Sequence, residues 1–287
     1  MKKLSIIIVN YNTEDFLKKC LDSLGKIPQD WEIIVVDNGS RNKLRVSHYE
    51  LRIIRNEKNT GYAYANNQAI KRSSGTYVLL LNPDTIVSQK AIEYVLHYLE
   101  EHDDVAVATC RVELASGAID DASHRGFPTP WNALFHFSGL GKLFPESMLF
   151  NGYHLGYRHM DRIHEIDACA GAFMMIRREA AEKVGWLDED YFWYGEDLDF
   201  CYRIKQNGYK VLYIPDVSIT HFKGVASGIK KHSQTISTAD VETTKRAQQA
   251  RFDVMKIFYE KHYKNKYPRF VTFLVTTGIS ILKKWYV

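Results

Sequence analysis

The fold is decided by residues 4–12, which read Leu4-Ser5-Ile6-Ile7-Ile8-Val9-Asn10-Tyr11-Asn12. The run is continuously apolar from Ile6 to Val9, which is typical of a strand buried on both faces of a sheet. Thr13-Glu14-Asp15 then gives a helix-start signal, and apolar residues recur at helical spacing as far as Gly25. We therefore expect a buried strand followed by a helix that covers the sheet.

The same alternation of strands and helices continues through the first half of the chain. We expect strands at Glu32–Val36, Leu51–Ile54, Tyr77–Leu81 and Val105–Thr109, and helices at 63–71 and 91–99. Because these strands are continuously apolar, they predict an α/β fold with a doubly wound, mainly parallel sheet that is covered on both faces.

Polar clusters follow three of the predicted strands. They are Asn10-Tyr11-Asn12, Asp37-Asn38-Gly39-Ser40 and Asn82-Pro83-Asp84. Ligands of open parallel sheets bind at the carboxyl ends of the strands. We therefore expect the chemistry of the protein at this edge of the sheet.

The second half of the chain has a different pattern. Residues 111–165 are rich in loop signals and show little periodicity, and Ile166–Ile176 is an apolar stretch of small residues. A helix is predicted at Glu196–Gln206, a strand at Tyr209–Ile214 that stops at Pro215, and a long polar helix at Thr238–Tyr263.

Composition excludes several classes of protein. The 287 residues are 45% hydrophobic and carry a net charge of only +4, which is that of a globular protein and argues against a strongly basic nucleic-acid binder. The four cysteines are widely spaced, so neither a zinc site nor a disulfide framework is expected. The apolar run near the N-terminus is too short for a secretory signal, and no window reaches the roughly 18–20 apolar residues of a membrane span. We expect a cytoplasmic protein.

The acidic cluster Glu196-Asp197-x-Asp199 directly follows the aromatic run Tyr191-Phe192-Trp193-Tyr194. Acidic residues at a helix N-terminus complement the helix dipole, so ordinary capping explains part of this pattern. Three carboxylates in four positions repel one another, however, and an aromatic wall lowers the local dielectric. Both effects raise a carboxyl pKa, which favours a general base.

Two further motifs have both a structural and a functional interpretation. Asn82-Pro83-Asp84 is good turn chemistry, and it also places a carboxylate at a strand end, where it can bind a metal ion. His221 is followed by Lys223, Gly224 and Ser227, which together can hold an anionic group beside a metal ion.

These motifs together resemble family 2 glycosyltransferases of the GT-A fold, and within them the rhamnosyltransferase-like members. The resemblance covers about residues 3–230 and rests on seven motifs in order. Besides the five named above, they include Asn59-Thr60-Gly61-Tyr62-Ala63-x-Ala65-Asn66-Asn67 and Gly171-Ala172-Phe173-Met174-Met175-Ile176-Arg177.

The resemblance implies a role for each matching residue. Asp84 and His221 would bind Mg²⁺ or Mn²⁺, although Asn82 replaces the first acid of the family's metal motif. Asp197 would be the catalytic base, with Glu196 as the second candidate. The residues expected to bind the nucleotide-sugar are Asn10, Tyr11, Asn12, Asp37, Asn66, Asn82, Lys223 and Ser227. Those expected to face the acceptor or the sugar are Gly171, Trp193, Tyr194 and Asp199, and for the two aromatics packing under the helix is the equal alternative.

The implied reaction is an inverting, metal-dependent transfer of L-rhamnose from dTDP-rhamnose to a glycan or lipid-linked glycan. Donation from a UDP-sugar is the alternative within the family. Two alternatives come from other classes. One is a non-catalytic nucleotide-sugar-binding scaffold. The other is a nucleotidyltransferase, which normally has a Gly-rich basic loop after the first strand, where this chain has Asn10-Tyr11-Asn12-Thr13.

The organisation implied by the resemblance is a GT-A domain at 1–235, with a nucleotide-sugar half at about 1–110 and an acceptor half at 111–235. A helical extension at 236–287 follows it. Residues 245–287 contain ten Lys and Arg against two acidic residues, and they include the apolar segment Phe270–Leu282. This combination favours contact with the inner face of an anionic membrane. Packing on the domain itself or on a second subunit of a homodimer is the alternative.

Overall fold

One mixed sheet organises the part of the chain that this computed structural model describes, which is residues 2–46, 50–229 and 236–286. Its nine strands are β1 (Leu4–Asn10), β2 (Trp31–Asn38), β3 (Arg52–Asn56), β4 (Tyr77–Leu81), β5 (Thr85–Ile86), β6 (Val105–Leu114), β7 (His164–Glu165), β8 (Phe173–Arg177) and β9 (Lys210–His221). The helices within the described ranges are α1 (Glu14–Leu24), α2 (Tyr62–Ile70), α3 (Gln89–Glu101), α4 (Pro130–Ser138), α5 (Leu140–Leu143), α6 (Arg178–Val184), α7 (Glu196–Gln206), α8 (Val241–His262) and α9 (Arg269–Tyr286).

The strand order in the sheet is β3-β2-β1-β4-β8-β6-β9-β5, and β7 pairs with β9. The pairs β1–β2, β2–β3 and β1–β4 are parallel, and so is the pair β6–β9. Strand β8 is antiparallel to both β4 and β6, and β5 and β7 are antiparallel to β9. The predicted α/β fold with a mostly parallel sheet and a helical C-terminal extension is confirmed.

Strand β1 shows why its sequence is apolar throughout. Ile7 and Val9 point to the core that contains α2, α6, α7 and α8, whereas Ile6 and Ile8 point to the core that contains α1 and α3. Successive side chains of a strand face opposite sides of the sheet, so a strand with helices on both sides needs apolar residues at every position.

Strand β9 corrects the prediction that Pro215 ends the strand at Ile214. The strand continues to His221, and its pairing with β6 shifts so that Cys110 faces Ile214 while Arg111 faces Ser218. The residues between those two pairs form a bulge. A bulge leaves ladder positions unpaired, and so it accommodates a proline that has no amide proton to donate.

The region 111–165 is more ordered than its sequence predicts. Strand β6 extends into it as far as Leu114, and it contains α4 and α5. Thr129 caps α4 by accepting a hydrogen bond from the amide of Asn132 at 3.1 Å, and Pro130 occupies the first turn. Both helices are short, and α4 is rich in aromatic residues, so they lack the apolar periodicity that reveals a helix.

Two other expectations concern segment limits. Of the apolar stretch Ile166–Ile176, only the part from Phe173 belongs to a strand, which runs on to Arg177. The expected end of the GT-A domain at residue 235 lies outside the described residues. Among the helices that are described, none has the length together with the apolar character needed to cross a membrane.

Gly39, at the end of β2, provides a test of this packing. Its φ is +77°, and a Cβ there would overlap with the backbone of Lys58 and lie 2.6 Å from the amide nitrogen of Asn59. We expect Gly39→Ala to lower the free energy of unfolding by about 3 kcal/mol, because strain and overlap add. Gly208 has a φ of +83° but open space around it, so Gly208→Ala should cost only about 1 kcal/mol. Denaturant unfolding measures both, and equal losses would contradict the close approach.

Candidate active site

A cleft of about 1350 Å³ opens at the carboxyl ends of β1, β2 and β4. The N-terminus of α7, the segment after β9, and helices α4, α8 and α9 complete its lining. Most of the residues that the sequence predicts for the site meet here. They are Tyr11, Asn82, Asp84, Gly171, Trp193, Tyr194, Glu196, Asp197, His221, Lys223 and Ser227.

The remaining predicted residues lie outside the cleft. Asn10 and Asn12 line a neighbouring cavity of about 520 Å³. Asp37, Asn66 and Asp199 line neither cavity. Asn66 is fully buried and donates to the carbonyl of Tyr62 within α2 at 2.9 Å.

Asp199 ties α7 to α8 and does not line the cleft. Its carboxylate accepts hydrogen bonds from Arg203 Nε at 2.7 Å and from His262 Nε2 at 2.6 Å, and the residue is 1% exposed. Both oxygens are therefore engaged inside the protein. The acidic cluster at the start of α7 supplies two carboxyl groups to the cleft rather than three.

The pairing of β5 with β9 brings Asp84 to His221. Thr85 lies opposite His221 in this antiparallel pair, and the amide of Phe222 donates to the carbonyl of Asp84 at 2.9 Å. The Asp84 Oδ1 to His221 Nε2 distance is 3.3 Å, and Asn82 Nδ2 lies 3.4 Å from the same ring nitrogen. One carboxylate, one imidazole and one amide thus share a corner of the cleft.

Asp120 supports His221 from the opposite side of its ring. Its Oδ2 lies 3.0 Å from His221 Nδ1, and its Oδ1 accepts from Lys223. Burial alone would raise the pKa of Asp120, but the hydrogen bond from His221 and the charge of Lys223 hold it well below its usual range. Burial would likewise lower the pKa of His221, but the carboxylates of Asp84 and Asp120 raise it to about 9. The ring is therefore fixed in orientation.

The residues at this corner fit a hard divalent cation. Oxygen ligands with one imidazole suit Mg²⁺ or Mn²⁺. Because Asp120 occupies the far side of the ring, Asp84 and His221 are the two ionisable side chains available, and in the described ranges no three acidic, His or Cys side chains converge as a complete metal-holding group. A cation here therefore needs further oxygen atoms from water or a bound ligand.

Arg125 lies beside Asp197 at the other end of the polar lining. Its Nη2 donates to Asp197 Oδ2 at 2.6 Å and to the carbonyl of Cys169 at 3.4 Å. Burial would lower the pKa of Arg125, but the charge of Asp197 raises it above its usual value. Asp197 Oδ1 also accepts from the amide of Leu198 at 2.7 Å. The carboxylate is held in place by donors on both oxygens.

Glu196 is the neighbouring carboxyl group and has a different environment. It is buried, and its Oε2 is among the side-chain atoms of the described residues that have no hydrogen-bond partner. Burial, followed by the nearby charge of Asp197, raises the pKa of Glu196 to about 8. The two adjacent carboxyl groups are therefore distinct: Asp197 is paired with Arg125, whereas Glu196 has an oxygen without a hydrogen-bond partner and retains its proton near neutral pH.

Backbone strain is concentrated around the cleft. Tyr194 has a φ of +73° and Lys223 a φ of +42°, and Asn12 in the adjoining cavity has a φ of +57°. Non-glycine residues in such conformations cost about 1–3 kcal/mol each and cluster at functional sites. Tyr194 projects into the cleft next to Trp193, whose ring meets the edge of Tyr11 at 6.4 Å between centroids.

Three residues of the site have no role in the predictions made from the sequence. Asp120 and Arg125 lie in the region 111–165, where no periodicity or motif marks them, and only strand pairing with distant residues places them. Tyr62 belongs to a motif that was noted without a role. Its hydroxyl donates to Asn82 Oδ1 and to the carbonyl of Gly171, both at 3.2 Å.

Comparison with known proteins identifies the family to which this chain belongs. Residues 5–185 match the family described as glycosyl transferase family 2, and residues 151–226 match the one described as N-terminal domain of galactosyltransferase. The low-salt glycan biosynthesis hexosyltransferase Agl10 of Haloferax volcanii is 30% identical over 214 residues, which are 72% of this chain and 63% of that protein. Rhamnosyltransferase WbbL of Escherichia coli is 28% identical over 228 residues, which are 76% and 82% of the two chains.

A third relative and two solved structures extend the comparison. The N-acetylglucosaminyl-diphospho-decaprenol L-rhamnosyltransferase of Mycobacterium tuberculosis is 24% identical over 245 residues, 78% of each chain. The crystal structure of GalNAc-T7 with UDP, GalNAc and Mn²⁺ matches with a TM-score of 0.57 at 15% identity, covering 92% of this chain and 58% of that one. The structure of S. aureus TarS 1–349 matches with a TM-score of 0.53 at 14% identity, covering 92% and 73%. The two structures support the fold.

The raised pKa of Glu196 predicts a pH dependence of stability. The folded protein keeps this proton up to about pH 8, whereas the unfolded chain releases it near pH 4.5. The proton on Glu196 therefore makes its full contribution to the free energy of unfolding below pH 4.5. This contribution is lost as the pH rises to 8, by at most about 1.4 kcal/mol per pH unit. Glu196→Gln removes this loss, so the variant should gain stability relative to wild type between pH 5 and pH 8.

Denaturant unfolding at the two pH values measures this difference. Glu57→Gln, on the surface, is the control for the loss of one carboxyl group. If Glu196→Gln had the same pH dependence as wild type, Glu196 would be charged in the folded protein.

Proposed function

Since the chain belongs to glycosyl transferase family 2, as its motifs predicted, we propose that it is an inverting, metal-dependent glycosyltransferase. It transfers a sugar from a nucleoside-diphosphate donor to a hydroxyl group of a glycan or lipid-linked glycan. The observation that carries the proposal is the meeting of Asp84 and His221 with Glu196 and Asp197 in one cleft at the strand ends. The product belongs to cell-surface polysaccharide synthesis.

The proposed donor is dTDP-L-rhamnose. Support comes from the names of two relatives that align over most of their length, both rhamnosyltransferases. A UDP-sugar is the alternative donor. Asp37 is proposed to bind the donor from the end of β2, where its Oδ1 belongs to the buried side-chain atoms without a hydrogen-bond partner in the described chain, although the residue lines neither of the two cavities.

The diphosphate of the donor would lie at the corner formed by Asp84 and His221, which would hold Mg²⁺ or Mn²⁺. When bound, the cation neutralises the charge of the leaving diphosphate. Lys223 and Ser227 line the same cleft, and they supply a positive charge and a hydroxyl donor for the phosphate oxygens. Trp193 and Tyr194 offer aromatic faces on which a sugar ring can pack.

Asp197 is the proposed base. A diphosphate leaves without a proton, so one carboxylate suffices to take the proton from the acceptor hydroxyl during in-line attack. Arg125 donates a hydrogen bond to Oδ2 of Asp197 and so fixes the orientation of the carboxylate. Glu196 is the second candidate, since its raised pKa suits proton transfer near neutral pH.

Asp197→Asn tests the base assignment. Because general base catalysis contributes about 10²–10⁴-fold, we expect kcat for transfer to fall by that factor while donor affinity is retained. Glu196→Gln, the matched neighbour, should lose less than about tenfold. Near-normal turnover of Asp197→Asn, or a greater loss in Glu196→Gln, would assign the base to Glu196.

The assay for these variants begins with a thermal-shift screen of dTDP-rhamnose and UDP-sugars in the presence of Mg²⁺ or Mn²⁺. Transfer to glycan and lipid-linked acceptors follows, with and without a chelator. Transfer that survives complete chelation would remove the metal from the proposal. Donor binding without transfer or donor hydrolysis under every condition would favour the scaffold.

We also propose that the basic extension contacts the inner face of an anionic membrane, where a lipid-linked acceptor is anchored. Residues 245–287 carry ten cationic side chains against two acidic ones, and Lys264 and Lys284 are exposed. Such residues contribute about 1 kcal/mol each near an anionic bilayer. The alternative occupant of this surface is a second copy of the chain.

The double variant Lys264→Glu with Lys284→Glu tests this contact. We expect its binding to phosphatidylglycerol-containing vesicles to fall by at least about tenfold, because two attractive charges become repulsive. Lys26→Glu with Lys71→Glu makes the same charge change at exposed positions of the GT-A domain and should change binding by less than about twofold. Equal losses in the two double variants would assign vesicle binding to net charge alone.

A further inference from the structure

Helix α9 is apolar and yet packs only partly against the protein, with Val275 partly buried against the core. Of its residues whose side chains the structure describes, 269–285, none is buried. It is attached to α8 through Tyr259, whose hydroxyl lies 3.0 Å from Thr272 Oγ1, and through Lys283, which pairs with Asp253 at the far end. An apolar helix of 18 residues that is left this exposed requires an explanation.

One face of α9 lines the catalytic cleft. Val271, Leu274, Val275, Gly278 and Leu282 belong to this lining, and their spacing of three and four residues places them on one side of the helix. The same continuous cleft contains Glu196 and Asp197. The candidate base therefore shares its cavity with an apolar helix surface.

Helix α4 adds a second apolar surface to the same cleft. Trp131, Leu134 and Phe137 line it, and they remain 52%, 57% and 47% exposed. Neither α4, α5 nor α9 contains an Asp or Glu residue. Large apolar side chains that are open to solvent and continuous with a catalytic site indicate a place for an apolar ligand.

The size of the cleft supports the same conclusion. Pockets for small ligands have volumes of about 300–1,000 Å³, and this cleft, with about 1350 Å³, is larger. Its polar residues, contributed by the strand ends and the start of α7, account for the donor and the base. The apolar surfaces of α4, α8 and α9 lie beyond them and have no part in the proposed reaction.

We propose that this apolar part of the cleft, the α4–α9 groove, binds the hydrocarbon chain of a lipid-linked acceptor while the sugar at the end of that chain reaches Asp197. The inference rests on the proposed function and specifies its acceptor. A hydrocarbon chain that carries a sugar hydroxyl matches both parts of the one cavity, whereas a protein bound over the groove would block the acceptor's approach. Phe273, at 68% exposure, lies on the opposite side of α9 from Gly278 and is left to contact the bilayer from which the chain comes.

Gly278 provides a direct test. It lies in the lining, and a Cβ there would meet no atom within 4 Å, so a side chain can be added without disturbing the fold. Gly278→Glu places a charge in the α4–α9 groove. Thr277→Glu adds the same charge on the exposed neighbouring position, which is outside the lining, and serves as the matched control.

The probe is dodecyl glucoside below its micelle concentration, with methyl glucoside as the ligand without a chain. Burial of each methylene strengthens binding about fourfold. We therefore expect wild type to bind dodecyl glucoside at least tenfold more tightly than methyl glucoside by calorimetry. Gly278→Glu should lose at least tenfold of this affinity, and Thr277→Glu less than twofold.

A second pair of variants tests α4 in the same way. Leu134→Glu, in the lining, should weaken the binding of dodecyl glucoside as Gly278→Glu does. Leu143→Glu, at 68% exposure on α5 and outside the lining, should not. Binding that is equal in all four variants, or no preference of wild type for the alkyl chain, would overturn the proposal. A concentration-dependent dimer in sedimentation that Gly278→Glu abolishes would also overturn it, because a second copy would then occupy the groove.

Thermal shift with dTDP and UDP separates this proposal from the proposed function. All four variants should bind nucleotide as wild type does, which also shows that they are folded. If wild type binds dodecyl glucoside but neither nucleotide, the proposed nucleotide-sugar donor is wrong, and the proposed lipid-binding groove stands. If wild type binds nucleotide but does not prefer dodecyl glucoside to methyl glucoside, the proposed lipid-binding groove is wrong, and the proposed donor stands.

Discussion

The pairing of the two-residue strand β5 with the end of β9 is the constraint on which the site depends. Asn82 and His221 are 139 residues apart in the chain, and this short antiparallel contact brings them together. Thr85 stabilises this contact. Its hydroxyl donates to the carbonyl of Asn82 at 2.8 Å and lies 3.5 Å from the buried Cys20 thiol. The contact joins the parallel half of the sheet to the strands that follow it, so the two halves cannot move apart without separating Asp84 from His221.

The start of α7 shows how one acidic cluster supplies groups of different character. Asp199 accepts hydrogen bonds from Arg203 and His262, and Asp197 is paired with Arg125. Glu196 has no such partner, so burial and the charge next to it raise its pKa instead. Opposite environments for adjacent carboxyl groups are a general way to separate a charged base from a neutral acid. The repulsion among the three acidic residues is thereby reduced, because two of them have hydrogen-bonded partners and the third has a raised pKa.

Much of this arrangement could be predicted from the sequence, because it depends on local pattern. Continuous apolar runs predicted the strands of the parallel half, and turn chemistry marked Asp84 at a strand end. The rest depends on contacts between distant segments. The sequence shows three neighbouring carboxylates but cannot show that His262, 63 residues beyond Asp199, removes one of them from the cleft.

The same physical limit explains the errors in the second half of the chain. Pro215 predicts the end of a strand unless the partner strand is known to shift its register. Asp120 and Arg125 are positioned by backbone bonds to Val112 and Ala168 that no local pattern encodes.

The two sides of the cleft differ in how firmly they are built. One side is formed by strand ends whose neighbours are buried in the core, so its geometry is as rigid as the sheet. The other side includes α9, which is attached to α8 and has no buried side chain among those described. Segments with little buried apolar surface open at low free-energy cost. Helix α9 can therefore shift at low free-energy cost, whereas Asp197 is held in place by the hydrogen bond from Arg125.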